Sequence, residues 1–178
     1  MRSFDLEIQF GENNRSGGAD FICTGSAGKF ALEVTTINTS AMEKHTWMKN
    51  NQRGIDGGFY QYYPYLYQKL VGKEKQLAPY QFPGIVAIGS FHGESLALFR
   101  DVLADEYFNA FFSDLLSGAL VHDENLKNIS AFLLIGFGCN GYSIMGFLNP
   151  VIAYLFDIQL LPDVAFRQIT ETGLKDNK

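Results

Sequence analysis

The stretch FALEVTTIN, residues 30–38, is the basis of the fold prediction. Its valine, threonine and isoleucine content indicates a β-strand, and a strand this apolar is typical of the centre of an α/β sheet, where both faces are covered. Glu33 interrupts the apolar run. Because a carboxylate in a covered strand needs a cation, a proton or strong hydrogen bonds, Glu33 is the first candidate functional residue.

A hairpin is predicted to join this strand to the one before it. The run DFICTG, residues 20–25, leads into the turn sequence GSAG, residues 25–28, and a hairpin around that turn places Asp20 opposite Glu33. Side chains alternate along each strand, so one face of the hairpin is predicted to be apolar and to pack in the core. The residues of that face are Phe21, Cys23, Phe30, Leu32 and Val34. Asp20, Glu33 and Thr35 share the other face.

The opposed carboxylates predict a metal site. Directly opposed strand residues have Cβ atoms about 5 Å apart, so ionised Asp20 and Glu33 would repel each other unless a cation lies between them or they share a proton. Carboxylate oxygens with room for water suit Mg²⁺ or Mn²⁺. The alternative is that Asp20 caps its strand and Glu33 is a solvated residue of the outer face. A register slip of one residue would also separate the two acids.

A lysine lies on the apolar stripe of a predicted helix, residues 59–77. Lys73 comes three residues after Leu70 and four before Leu77, and Gln76 follows one turn later. The other members of the stripe are Phe59, Tyr63 and Leu66. A lysine that faces inward needs a carboxylate partner. The alternative is that Gly72 ends the helix and leaves GKEKQ as a solvated turn.

Strands and helices alternate along the rest of the chain, which predicts an α/β domain with a mixed central sheet flanked by helices. Strands are expected at PGIVAIGS, residues 83–90, and NISAFLLIGF, residues 128–137. Helices are expected within residues 39–50 and 94–120, with Thr39 or Ser40 as the cap of the first. GFGCNG, residues 136–141, is interpreted as a turn, and the chain is expected to finish in short strands and a helix.

These features resemble the PD-(D/E)XK nuclease superfamily, which has the restriction-endonuclease-like fold. ADF, residues 19–21, is similar to its first motif, and EVT, residues 33–35, to its acid-x-Lys motif. The resemblance spans roughly residues 5–137. It implies one nuclease domain over residues 1–178, with a reduced N-terminal element at 1–19 and a C-terminal extension at 138–178. FDLEIQF stands where the family has an N-terminal helix, and Glu7 is the acid available there.

The resemblance implies a Mg²⁺- or Mn²⁺-dependent hydrolase of phosphodiester bonds. Asp20 and Glu33 would bind the metal, with the backbone carbonyl of Val34 as a further ligand. Thr35 occupies the usual lysine position. KEKQL, residues 73–77, resembles a K-x-x-Q-L helix of an uncharacterised E-V-T variant group in which the lysine has moved to a helix. Lys73 would therefore act on the water and the transition state, with Lys75 and Lys69 as other candidates and Gln76 as a positioning residue.

A second hypothesis stays open beside the enzyme. The chain would then be a degenerate nuclease-like domain that binds nucleic acid or a protein partner without cleavage, as Thr35 and the net charge of −5 favour. For the nuclease, DNA is the expected substrate before RNA, and a homodimer would address both strands of a duplex. Scattered histidines are expected to be solvated or capping. Free buried thiols at Cys23 and Cys139, and no signal peptide or membrane span, predict a cytoplasmic protein.

Overall fold

A computed structural model of the chain describes residues 5–11, 17–46, 59–92, 124–138, 141–149, 152–170 and 173–176. It confirms a mixed α/β architecture. The strands form one eight-stranded sheet whose spatial order follows the chain, β1 to β8. The strands are β1 Glu7–Phe10, β2 Phe21–Gly25, β3 Gly28–Ile37, β4 Gly84–Ser90, β5 Ala131–Gly138, β6 Gly141–Leu148, β7 Ala165–Thr170 and β8 Gly173–Asp176. The described α-helices are α1 Thr39–Thr46 and α2 Phe59–Leu77, and short 3-10 helices lie at Glu124–Leu126 and Ile158–Leu160.

The sheet is antiparallel at its N-terminal side and parallel at its centre. β1, β2 and β3 form an antiparallel meander, and β3, β4 and β5 run parallel. A parallel connection needs a crossover segment, and α2 lies within the one between β3 and β4. β6 returns antiparallel to β5, with Gly138 opposite Gly141, while residues 139 and 140 of the predicted GFGCNG turn lie outside the described residues.

The predicted register of the β2–β3 hairpin is confirmed. Thr24 pairs with Lys29, and Phe21 pairs with Leu32. The turn itself is shorter than predicted, because Gly25 and Gly28 still pair and only Ser26 and Ala27 lie between the strands. Gly28 has a φ of 136°, a conformation that a residue with a Cβ adopts only under strain.

One apolar face of the hairpin lies in the core as predicted, except at Val34. Cys23 and Phe30 are buried there, and Phe21 and Leu32 pack against the same cluster. Val34 is 39% exposed, so its assignment to the core was wrong. β2 begins opposite Leu32, and the edge of β3 beyond that point therefore has no β2 neighbour to cover it.

Helix α2 packs against β3 and β4. Its predicted extent is confirmed, and it continues through the exposed Gly72 instead of ending there. Leu70 and Leu77 are buried, as the stripe predicts, whereas the side chains of Phe59, Tyr63 and Leu66 lie outside the described part of the chain. A Cβ on Gly84 would lie 2.9 Å from a methyl carbon of Leu77, so the helix end is seated directly on the start of β4.

Two local predictions were wrong. The cap of α1 is Asn38, whose side-chain oxygen accepts from the Ala41 N–H at 2.8 Å, a position one residue earlier than expected. The C-terminal segment VAFRQI forms strand β7 and not a helix, because it pairs in parallel with β6. There the ring of Phe166 lies against Gly146, where a Cβ would approach within 2.4 Å.

Of the two cysteines, Cys23 is described, and it is a buried free thiol as predicted. Burial raises the pKa of this thiol above its ordinary value of 9.0. Cys139 and the expected helix at 94–120 lie outside the described residues. Among the described helices, none has both the length and the apolar character needed to cross a bilayer.

Candidate functional site

Glu33 lies in the middle of β3 and is 1% exposed. Its two carboxylate oxygens have different partners. Oε2 accepts a hydrogen bond from the backbone N–H of Asp20 at 3.1 Å, and Oε1 accepts from the Lys73 ammonium at 2.5 Å. The carboxylate that the sequence marks as out of place in an apolar strand is therefore held by one peptide group and one cation.

Asp20 lies one residue before β2 and is half-buried. Its Oδ2 accepts from the backbone N–H of Val34 at 2.7 Å, while its own backbone N–H binds Glu33. The two acids thus bridge the hairpin reciprocally, each side chain accepting from the backbone beside or within the other acid. This arrangement holds the Glu33 carboxylate at the backbone of Asp20 and the Asp20 carboxylate at the backbone beside Glu33.

Lys73 reaches the site from α2, and its side chain is 25% exposed. Residues three and four apart lie on one helix face, so the buried Leu70 and Leu77 direct Lys73 toward β3. Gln76 is half-buried one turn later, and within the described residues no hydrogen bond joins it to Asp20 or Glu33. Lys75 is exposed and Lys69 half-buried, and the ion pair to Glu33 is made by Lys73.

Two other charged residues of the sheet, Lys29 and Glu7, lie away from the two carboxylates. Lys29 stands over the ring of Phe82, 4.4 Å from its centroid. Glu7 is exposed on β1 opposite Thr24, at the far end of the hairpin from Asp20. Within FDLEIQF, residues 7–10 form strand β1. Thr35 is half-buried on β3, two residues from Glu33.

The donor chemistry of this site fits a hard divalent cation. Two carboxylates and one ammonium leave a net charge of −1, and in the described part of the chain Oδ1 of Asp20 has no hydrogen-bond donor. Oxygen donors with residual negative charge are the ligands that Mg²⁺ and Mn²⁺ prefer. The described residues contain no cluster of three or more histidine, cysteine or acidic side chains, so water or substrate oxygens would complete the coordination.

The sequence interpretation missed three residues near the site or the adjoining strand ends. The hydroxyl of Tyr80 accepts from the Ala19 N–H at 3.1 Å, and the N–H of Gly11 donates to the Asp20 carbonyl at 2.9 Å. His92, expected to be solvated or capping, is fully buried after β4. A glycine at position 11 permits such a close backbone approach, but nothing in the sequence assigns a partner to Tyr80.

No family model matches the chain, and no curated protein or solved structure matches it significantly. The geometry around Asp20, Glu33 and Lys73 is therefore the basis on which a function can be inferred.

Proposed function

We propose that the chain is a metal-dependent nuclease that hydrolyses phosphodiester bonds, with DNA as the preferred substrate. The observation that carries this proposal is the contact of 2.5 Å between Lys73 and Glu33 beside Asp20. Two adjacent carboxylates and one lysine are the groups that the PD-(D/E)XK resemblance requires. The lysine comes from α2, while Thr35 stands in its usual place.

The order of elements supports the same proposal. An antiparallel hairpin carries the two acids, a helix follows, and the next strand runs parallel to the strand of Glu33. This is the order of elements expected for a restriction-endonuclease-like core. A fold of this kind hosts binding proteins as well as enzymes, so the side chains carry more weight than the topology.

Each residue then has a defined role. Asp20 and Glu33, with the backbone carbonyl of Val34, would hold Mg²⁺ or Mn²⁺, which supplies an activated water and stabilises charge on the phosphate. Lys73 provides a fixed positive charge beside this pair, where negative charge develops during attack on phosphorus. Gln76, one turn beyond Lys73, would hydrogen-bond the substrate phosphate or the water.

A non-cleaving domain is the second candidate, and one observation favours it. Both oxygens of Glu33 already accept from protein donors, and Lys73 neutralises its charge. Such a pair would also exist in a protein that keeps the hairpin for structural reasons and binds nucleic acid or a protein partner. Metal binding and cleavage measured together separate the two candidates.

The test is a cleavage assay with Mg²⁺ or Mn²⁺ on labelled single- and double-stranded DNA and RNA. Glu33→Gln and Asp20→Asn are expected to lower the rate on the order of 100-fold, because each removes one charged metal ligand. Glu7→Gln is the matched control, since it removes an exposed acid on the same hairpin meander, and it should cleave like the wild type. Wild-type protein that cleaves nothing would exclude the enzyme.

Thermal unfolding with and without Mn²⁺ completes this test. A ligand that binds only the folded state raises the melting temperature, and Glu33→Gln should abolish the rise. Stabilisation by Mn²⁺ without cleavage would favour the binding domain. If Mn²⁺ does not stabilise the wild type and the wild type does not cleave, the metal site itself is contradicted.

A further inference from the structure

The backbone just before Asp20 is tied to a tyrosine from another element. Ala19 is fully buried, and its N–H donates to the hydroxyl of Tyr80 at 3.1 Å. A buried peptide N–H without an acceptor is strongly disfavoured, so this hydroxyl is the group that allows Ala19 to be buried in its present orientation. The contact bridges residues 61 positions apart in the sequence.

Gly11 holds the same short backbone segment one residue further on. Its N–H donates to the Asp20 carbonyl at 2.9 Å. A Cβ at Gly11 would lie 2.3 Å from the carbonyl oxygen of Ala19, which no real Cβ contact tolerates, so this approach requires glycine. Hydrogen bonds to Tyr80 and Gly11 therefore fix the backbone of Ala19 and Asp20, from which the Asp20 side chain extends.

Tyr80 is in turn fixed to the helix that delivers Lys73. Its N–H donates to the Leu77 carbonyl at 3.1 Å, at the end of α2. Its ring packs on Phe82 with the centroids 5.3 Å apart. The C-terminal half of α2 thus brings Lys73 to Glu33, and the segment directly after α2 brings Tyr80 to the Ala19 N–H beside Asp20.

We propose that Tyr80 is a positioning residue for the metal site, which acts by holding the backbone at Ala19 in the orientation that presents the Asp20 carboxylate. This inference rests on the proposed function, because it concerns the same cation. Tyr80 touches neither Asp20 nor Glu33 with its side chain in the described contacts, and it acts through Ala19. Groups that orient metal ligands typically change metal affinity by about 10- to 100-fold when they are removed.

Tyr80→Phe removes the hydroxyl and keeps the ring on Phe82. We expect the Kd for Mn²⁺, measured by calorimetric titration of the full chain, to rise about tenfold. Tyr142→Phe, which removes a hydroxyl from a tyrosine that is 62% exposed, should leave the Kd unchanged. Ser130→Ala is the control for a structural loss elsewhere, because it removes a buried hydrogen bond of 2.6 Å to the Tyr154 carbonyl. Amide exchange at Ala19, followed by NMR, should accelerate in Tyr80→Phe alone.

The outcomes are distinct. A higher Kd for Mn²⁺ and faster amide exchange at Ala19 in Tyr80→Phe support the inference, provided that both controls keep the wild-type Kd. A wild-type Kd in Tyr80→Phe overturns it and leaves the metal site standing. An equal loss of affinity in Ser130→Ala also overturns it, since general loosening would then be the cause. Wild-type protein that binds no Mn²⁺ at millimolar concentration overturns the proposed function and this inference together.

Discussion

At the scale of single residues, the site depends on a carboxylate that has almost no contact with water. Removing a charged carboxylate from solvent costs several kcal/mol, and each charge-assisted hydrogen bond returns about 1.5–3 kcal/mol. Glu33 receives one such bond from Lys73 and a second from the Asp20 peptide. The position of Glu33 is therefore stabilised only while both the helix and the hairpin are in place.

Cys23 offers a prediction on pH. Burial raises its thiol pKa in the folded state, so the stabilising effect of keeping the thiol protonated is complete below the unfolded value of 9.0 and is lost as pH rises through the folded-state pKa. In a Cys139→Ser background, Cys23→Ala should therefore lose less stability than its parent between pH 8 and pH 10. Urea unfolding at each pH measures the difference. Parallel pH profiles of the two proteins would contradict a buried, protonated thiol.

At the scale of elements, α2 is the structural link between the two halves of the site. It carries Lys73 in its last turns and ends at Leu77, which is buried against the start of β4. A continuous helix is needed to hold Lys73 beside Glu33 of β3. Gly72 lies inside it and weakens it, because glycine costs about 1 kcal/mol relative to alanine in a helix interior.

Gly72→Ala should therefore raise the free energy of unfolding by about 0.5–1 kcal/mol. Gly28→Ala is the matched comparison, because a Cβ at either glycine meets nothing within 4 Å and steric clashes do not differ. Gly28 has a φ of 136°, so the same added methyl group should destabilise the protein there. Denaturant unfolding measures both values. Changes of the same sign would contradict the described backbone conformations.

At the scale of the whole molecule, the C-terminal segment completes the core. Phe156, Leu160 and Phe166 pack in the same cluster as Cys23 and Phe30 of the hairpin. Phe156 meets Phe30 edge to face, with the ring centroids 5.5 Å apart. These C-terminal residues therefore pack on the face of the hairpin opposite the carboxylates.

Phe156→Ala should lower the free energy of unfolding by about 3–5 kcal/mol, the usual cost of emptying a phenylalanine site in a core. Leu155→Ala is the neighbouring control, since Leu155 is 85% exposed and should change stability little. Unfolding followed by fluorescence and by circular dichroism should give one coincident transition in each protein. Two separate transitions would show that the C-terminal segment unfolds independently.

The predictability of this protein differs from residue to residue for physical reasons. The hairpin register and Lys73 could be predicted because strand alternation and helical spacing act over a few residues and leave a pattern. Val34 could not, since its exposure depends on where β2 begins beside β3. VAFRQI was wrongly predicted as helical because its partner is a strand in parallel pairing. Tyr80 leaves no pattern, because a hydroxyl that accepts from a distant peptide needs no particular neighbours.

In the proposed enzyme, Lys73 supplies the charge that Thr35 cannot. The most direct measurement compares single-turnover cleavage rates of the wild type, Lys73→Met, and Lys73→Met with Thr35→Lys, at saturating Mn²⁺. Lys75→Met, which alters the exposed lysine two positions away, is the control and should cleave like the wild type. We predict that Lys73→Met lowers the rate on the order of 100-fold and that Thr35→Lys restores part of it. A wild-type cleavage rate in Lys73→Met, or no cleavage by the wild type, would contradict this role of Lys73.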